Sequence, residues 1–236
     1  MDKGQKDPKG RTSALSWLIR EMVGNIFLIV ILFGIVGRWD WWNGWVMSAI
    51  YLFWSLGAII FILPVNPNML AERSRPKADS KKWDIALVGI MGVFILVAYV
   101  IACLDVRNGW APQFPLPAQI VGAVVAAFGY DVLMIWSMVA NAFFTTIVRI
   151  QSDRQHTVAM GGPYRLVRHP GYVGTILFYL GTPFLFGSRW ALIPATMASA
   201  VLVVRTALED KTLQADLPGY KEYAERVRYR LLPGIW

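Results

Sequence analysis

Residues 45–65 read WVMSAIYLFWSLGAIIFILPV, and no charged side chain interrupts them. A hydrocarbon core about 30 Å thick is crossed by about 20 apolar residues as a helix, which satisfies its own backbone where no water is present. The run therefore reads as a membrane-crossing helix. Working outward, windows of the same kind recur at Ile19 to Gly37, Ile85 to Leu104, Ala118 to Val148, Tyr172 to Gly187 and Trp190 to Leu208. The reading is an all-α, polytopic membrane protein of about six transmembrane helices. The fourth is long enough to tilt or to project past the membrane. The fifth is short, holds Gly181 and Pro183, and pairs with the sixth as a tight hairpin. Composition agrees, since 56% hydrophobic and 16% charged residues lie outside the soluble range.

The loops set an orientation. If the amino terminus is cytoplasmic, 20 of the 23 Lys and Arg residues fall on that side, and only Arg38, Arg107 and Arg189 fall on the other. The positive-inside rule then places both termini in the cytoplasm, which an even number of crossings requires. Trp39, Trp41, Trp42, Trp45, Trp83, Trp110 and Trp190 fall near span ends, where indoles favour the interface. The opening MDKGQKDPKGRTS reads as a mobile cytoplasmic tail over residues 1–17, followed by one membrane domain over 18–236. The net charge of +8 is scattered in short clusters between apolar spans. That pattern suits inner-leaflet lipid and excludes a nucleic-acid-binding domain. Cys103, the only cysteine, sits in an apolar run and has no intrachain partner. No Walker or G-x-G-x-x-G sequence is present, so any cofactor is held by loops and helix ends. Nothing in the sequence sets an oligomeric state.

Two cytoplasmic segments are richer than topology requires. In GGPYRLVRHPGYVG, residues 161–174, turns at Gly161-Gly162-Pro163 and His169-Pro170-Gly171 bracket a short basic stretch. Arg165 or Arg168 can fork onto a carboxylate or phosphate there, at the dipole end of the next helix. Plain contact with lipid headgroups is the competing reading. In RTALEDKTLQADLPGYKEYAERVRYRLLPGIW, residues 205–236, Arg205 and Glu209 are four apart and can share a helix face, as site groups or as a simple ion pair. Beyond them Tyr220, Tyr223, Val227 and Leu231 recur at helical spacing, which predicts a cytoplasmic carboxy-terminal amphipathic helix capping the first segment. Asp131, in AAFGYDVLMIW, is an ionisable group in mid-span. It either approaches an acceptor tunnel or is held by a neighbouring helix.

The combination of GGPYRLVRHPGYVG, a following hairpin, E-x-x-x-L, Y-x-x-Y and R-x-LP resembles the isoprenylcysteine carboxyl methyltransferase family over roughly Arg149 to the end. The resemblance implies an S-adenosylmethionine-dependent membrane enzyme whose lipophilic or lipidated acceptor arrives from the bilayer. It implies a cofactor site from 149–174 and 205–236, lined by His156, Tyr164, Arg165, Arg168, His169, Pro170 and Tyr172, with Glu209, Tyr223 and Arg226 from the tail. Arg168 and Glu209 are the expected catalytic pair and Asp131 the substrate-tunnel candidate; no metal is expected.

The chemistry is compatible. A sulfonium donor loses its charge on transfer, so alignment and exclusion of water carry most of the work. Tyr164 or Tyr172 offers an aromatic face to the cation, and an arginine offers a fork to the cofactor's carboxylate. A carboxylate acceptor is already ionised at pH 7, whereas a thiol or amine needs Glu209 or His169 as base. The identity of the accepting atom stays open. R-H-P-x-Y and the ending RVRYRLLPGIW are also similar to membrane sterol reductases, so an NADPH-dependent reductase is the alternative.

Overall fold

The computed structural model describes residues 8–66, 69 and 81–236, and among them every regular element is helical. We number the helices α1 (Pro8–Val36), α2 (Trp42–Ile62), α3 (Lys82–Asn108), α4 (Leu116–Ala140), α5 (Pro170–Phe186), α6 (Leu192–Asp216) and α7 (Tyr220–Arg226). α1 already begins at Pro8, inside the segment read as the amino-terminal tail, while residues 1–7 and most of 66–80 lie outside the described residues.

Among the described residues, five helices are long and apolar enough to cross a membrane: Ser16–Val36 within α1, then α2, α3, α4 and α6. The expected fifth span is the shorter α5, of 17 residues, so six crossings become five on length and composition. A helix of that length is about 25 Å long, less than a full hydrocarbon core. It lies against α3, α4 and α6 and buries Gly171, Gly174, Phe178, Gly181 and Leu185, so its length is set by protein neighbours rather than by lipid. Gly187 caps it at φ +79, a left-handed conformation open to glycine, and returns the chain to α6.

Two glycine pairs draw α4 onto α5. A Cβ at Gly129 would stand 2.4 Å from the Gly174 carbonyl oxygen, and one at Gly122 would stand 2.7 Å from that of Gly181. Both pairs are seven residues apart, two helical turns, so they lie on one face of each helix and let the backbones touch. Because the obstruction is backbone, it cannot swing aside. Gly174→Ala is expected to cost about 1–3 kcal/mol by overpacking, read as a lowered thermal midpoint in detergent. Gly89→Ala, where nothing lies within 4 Å of the added carbon, is the control.

The ends of the bundle differ in chemistry. At one end Arg107 donates to the Ile35 carbonyl, Asn43 bonds Gln119 and the Leu185 carbonyl, and Ser188 donates to buried Asp105. These bonds close the helix ends. The other end holds the loops of residues 141–169 and 217–236. The fourth span was expected to run to Val148, but α4 ends at Ala140. Asn141 turns extended and its side chain accepts the Phe143 amide, an Asx turn that replaces the next helical bond. The freed backbone finds other partners: Arg205 takes the Thr146 carbonyl and Asp84 takes the Val148 amide.

The expected amphipathic helix is likewise shorter. α7 stops at Arg226, and residues 227–236 run irregularly beside residues 168–169, with the Arg168 and His169 amides donating to the Tyr229 and Arg230 carbonyls.

Candidate active site

The turn at residues 165–170 is fixed by one carboxylate. Asp210, fully buried on α6, receives Arg168 through Nε at 2.7 Å and Nη2 at 3.0 Å, a bidentate pair. It also accepts Arg230 Nε at 2.8 Å, the Tyr220 hydroxyl at 3.0 Å and Gln214 Nε2 at 2.7 Å, with His169 Nε2 3.4 Å away. The remaining Arg168 nitrogen, Nη1, donates to the Val227 and Arg228 carbonyls, both at 2.9 Å. One ion pair thus joins the turn, α6, α7 and the tail. Tyr223 adds a bond to the Tyr164 carbonyl at 2.7 Å, and Asn141 donates to the Tyr164 hydroxyl. Burial raises the Tyr164, Tyr220 and Tyr223 hydroxyls above their ordinary 10.0, so each is a neutral group at pH 7.

These elements line a pocket that is partly open to solvent. Its walls include Phe143, His156, Tyr164, Tyr172, Arg205 and Glu209. Glu209 accepts a hydrogen bond from the Tyr172 hydroxyl, its one hydrogen-bond partner among the described residues. Arg205 does not pair with Glu209. It forks onto buried Asp84 of α3, with Nε at 2.6 Å and Nη2 at 3.2 Å, and lies over the Tyr172 ring at 5.1 Å. Its Nη1 has no hydrogen-bond partner among the described residues.

A second cavity, about 330 Å³ and partly open, lies between α2, α3, α4, α5 and α6. Tyr51, Met91, Ile95, Tyr130, Phe178 and Leu202 make it apolar and aromatic. Phe144, Thr145, Tyr172 and Arg205 line both cavities. A chamber of mixed charged and apolar lining and a mainly apolar one therefore meet at a tyrosine and an arginine.

His156 stacks on Phe143, and its Nδ1 accepts the Gln151 amide. Burial, with Arg154 and Arg149 adding repulsion, lowers its pKa from 6.5 to about 4. The folded state thus binds fewer protons than the unfolded chain between these values. The stability contribution is complete above pH 6.5 and is lost as pH falls toward 4. In His156→Gln the fall of the thermal midpoint over that window is expected to flatten, checked by melting in detergent at graded pH.

Of the expected site residues, His156, Tyr164, Arg168, His169, Tyr172, Glu209 and Tyr223 line the first pocket together. Pro170 is buried at the start of α5 outside the lining. Arg165 is exposed, and Arg226 is exposed with its guanidinium on the Glu222 carbonyl and the Met160 sulfur. Asp131 lines neither cavity; it sits on a π-helical turn of α4, Phe128–Met134, with Oδ1 buried and lacking a hydrogen-bond partner. Sequence reasoning missed Asp84, Asn141 and the hub role of Asp210. The available signal was that Asp84 opens an apolar run and Asp210 closes one, where a charge needs a partner.

Comparison with known proteins adds to this geometry. Residues 121–215 match the isoprenylcysteine carboxyl methyltransferase (ICMT) family. A probable protein-S-isoprenylcysteine O-methyltransferase of Oryza sativa subsp. indica is 28% identical over 109 residues, 45% of this chain and 57% of that protein. The protein-S-isoprenylcysteine O-methyltransferase of Dictyostelium discoideum is 24% identical over 178 residues, 75% of this chain and 71% of the other. That of Xenopus laevis is 30% identical over 81 residues, 34% of this chain and 28% of the other. The chain thus spans little more than half the length of the rice relative. The family match takes in α4 from Val121 onward, the 165–170 turn and Glu209 and stops before Tyr220.

Proposed function

We propose, from a chain that the comparisons relate to the isoprenylcysteine carboxyl methyltransferase family, an integral membrane methyltransferase that uses S-adenosylmethionine on a lipophilic carboxylate at the cytoplasmic face. The observation that carries the reading is the meeting of the two cavities at Tyr172 and Arg205. A charged cofactor suits the first chamber and a greasy acceptor the second, so the two reactants approach without either leaving its preferred medium. The methyltransferase names of the family and its relatives favour this over the reductase alternative.

The residues present fit the cofactor. Aromatic faces from Phe143, Tyr164 and Tyr172 suit a sulfonium and an adenine ring, and Glu209 suits a positively charged amino group. Arg149, on the pocket wall, pairs with mostly exposed Asp153 at 3.4 Å, an ion pair that a ligand carboxylate can replace. When bound, S-adenosylmethionine supplies an electrophilic methyl group. The protein orients the acceptor: Arg205, held by Asp84, lines both cavities, and its guanidinium can donate to one oxygen of a carboxylate. That acceptor is ionised at pH 7 and calls for no base.

The acceptor enters beside Gly92, the exposed helical residue on the apolar cavity's rim, where nothing lies within 4 Å of an added Cβ. Gly92→Leu is expected to lower kcat/KM for a long-tailed acceptor about tenfold with cofactor affinity unchanged. Gly89→Leu, equally uncrowded but off the cavity, is the control.

Thermal-shift titration in detergent with S-adenosylmethionine, its demethylated product and NADPH tests the cofactor. Stabilisation of about 2.7 kcal/mol is expected at a hundred times Kd for the adenosyl compounds alone. A shift with NADPH alone would overturn the proposal in favour of the reductase. Methylation of an S-prenylated cysteine then tests the acceptor.

A further inference from the structure

Arg165 lies in the basic stretch of residues 161–174, is exposed and lines neither cavity. Its neighbours explain what it faces. Leu166 is 64% exposed, and the tail beside this turn exposes Leu232 at 52% and Ile235 at 78%. Arg228 and Tyr229 are exposed as well. Backbone bonds from the Arg168 and His169 amides to the Tyr229 and Arg230 carbonyls make the two segments one surface. Residues 160–171 and 226–236 contain five arginines and no acidic residue. Arg168 and Arg230 are spent on Asp210, while Arg165 and Arg228 have no ion pair among the described residues. The acidic residues of the tail, Glu222 and Glu225, lie upstream on α7.

Exposed leucine and isoleucine outside the crossing helices, mixed with unpaired arginine, are what a surface resting on a charged bilayer requires. The surface adjoins the start of α5 at Pro170, at the end of the helix bundle. We propose that residues 165–166 and 228–235 form a docking surface for anionic phospholipid headgroups, with Leu232 and Ile235 entering the acyl boundary. The same tail contributes Tyr220 and Tyr223 to the cofactor pocket and is tied to Arg168, so the lipid contact holds the pocket's wall in place. This coupling to the cofactor rests on the methyltransferase reading; the lipid contact itself does not.

The test uses the full chain in nanodiscs of phosphatidylcholine alone or with phosphatidylglycerol. An environment-sensitive dye is attached at Ile235→Cys in a Cys103→Ala background, and affinity for S-adenosylhomocysteine is measured on the unlabelled protein. An arginine near an anionic surface gains about fivefold in binding. Phosphatidylglycerol is therefore expected to shift the dye to the blue, shield it from an aqueous quencher and tighten S-adenosylhomocysteine several-fold. In Arg165→Gln/Arg228→Gln both responses are expected to vanish, leaving the phosphatidylcholine values. A dye that reads as aqueous in both bilayers, or equally buried in both, overturns the proposal. So does equal loss of S-adenosylhomocysteine affinity in both bilayers for the double variant, which would return Arg165 to the cofactor site. If S-adenosylhomocysteine binds in neither bilayer, the cofactor reading fails and the dye alone decides the lipid surface.

Discussion

Arg168→Ala is expected to lower stability by about 3–5 kcal/mol, the cost of removing one partner from a buried, hydrogen-bonded ion pair. Asp210 would keep its charge in a fully buried position with Arg230 as its remaining arginine, and the Val227 and Arg228 carbonyls would lose their donor. The tail would be left with its backbone bonds to residues 168–169 and with Arg230 on Asp210, so cofactor affinity would fall as the pocket wall loosens. From sequence alone the same substitution suggests a folded protein without a bound cofactor; the bidentate geometry points to a positioning role instead. Arg168→Lys is expected to recover little, because an ammonium cannot span both Asp210 oxygens and the carbonyls together. Thermal melting of both variants in detergent, with limited proteolysis of the tail, checks this. An unchanged midpoint and an intact tail in Arg168→Ala would sink the idea.

The parts of this fold that were legible in the sequence are those that lipid imposes. Windows such as residues 45–65 admit few alternatives in a bilayer, and the observed α2 spans Trp42–Ile62. That seven of the candidate residues would come together was legible too, because turns at Gly161-Gly162-Pro163 and His169-Pro170-Gly171 constrain a short basic segment between them. What was hidden was pairing at long range. Asp84 and Arg205 meet across 121 positions, and no spacing rule connects them. The tail shows the same limit. Tyr220, Tyr223, Val227 and Leu231 have helical spacing, yet Arg168 takes the carbonyls of residues 224, 227 and 228, and a helix continued past Arg226 needs those acceptors for its own amides. A tertiary hydrogen-bond donor overrides a local periodicity.

Glu209→Gln is expected to act on the ligand rather than on the fold. Glu209 and Asp210 are adjacent in sequence but differ in what holds them. Asp210 is saturated by two arginines, a tyrosine and a glutamine, whereas Glu209 has the Tyr172 hydroxyl and otherwise faces the pocket. It is therefore the carboxylate left to meet a cation in the ligand. Glutamine keeps the shape and can still accept from Tyr172, so what it removes is the charge. A hydrogen bond to a charged group contributes about 1.5–3 kcal/mol, which corresponds to about a 10- to 150-fold loss of S-adenosylmethionine affinity. Turnover at limiting cofactor should fall by the same factor, while the thermal midpoint of the ligand-free protein stays where it was. Tyr172→Phe, which leaves the charge and removes one donor, should cost less. A Glu209→Gln protein that binds S-adenosylmethionine as tightly as the parent would remove Glu209 from the site. One that melts early without ligand would make it a structural residue, and the cationic end of the cofactor would then have to find its partner elsewhere on the pocket wall.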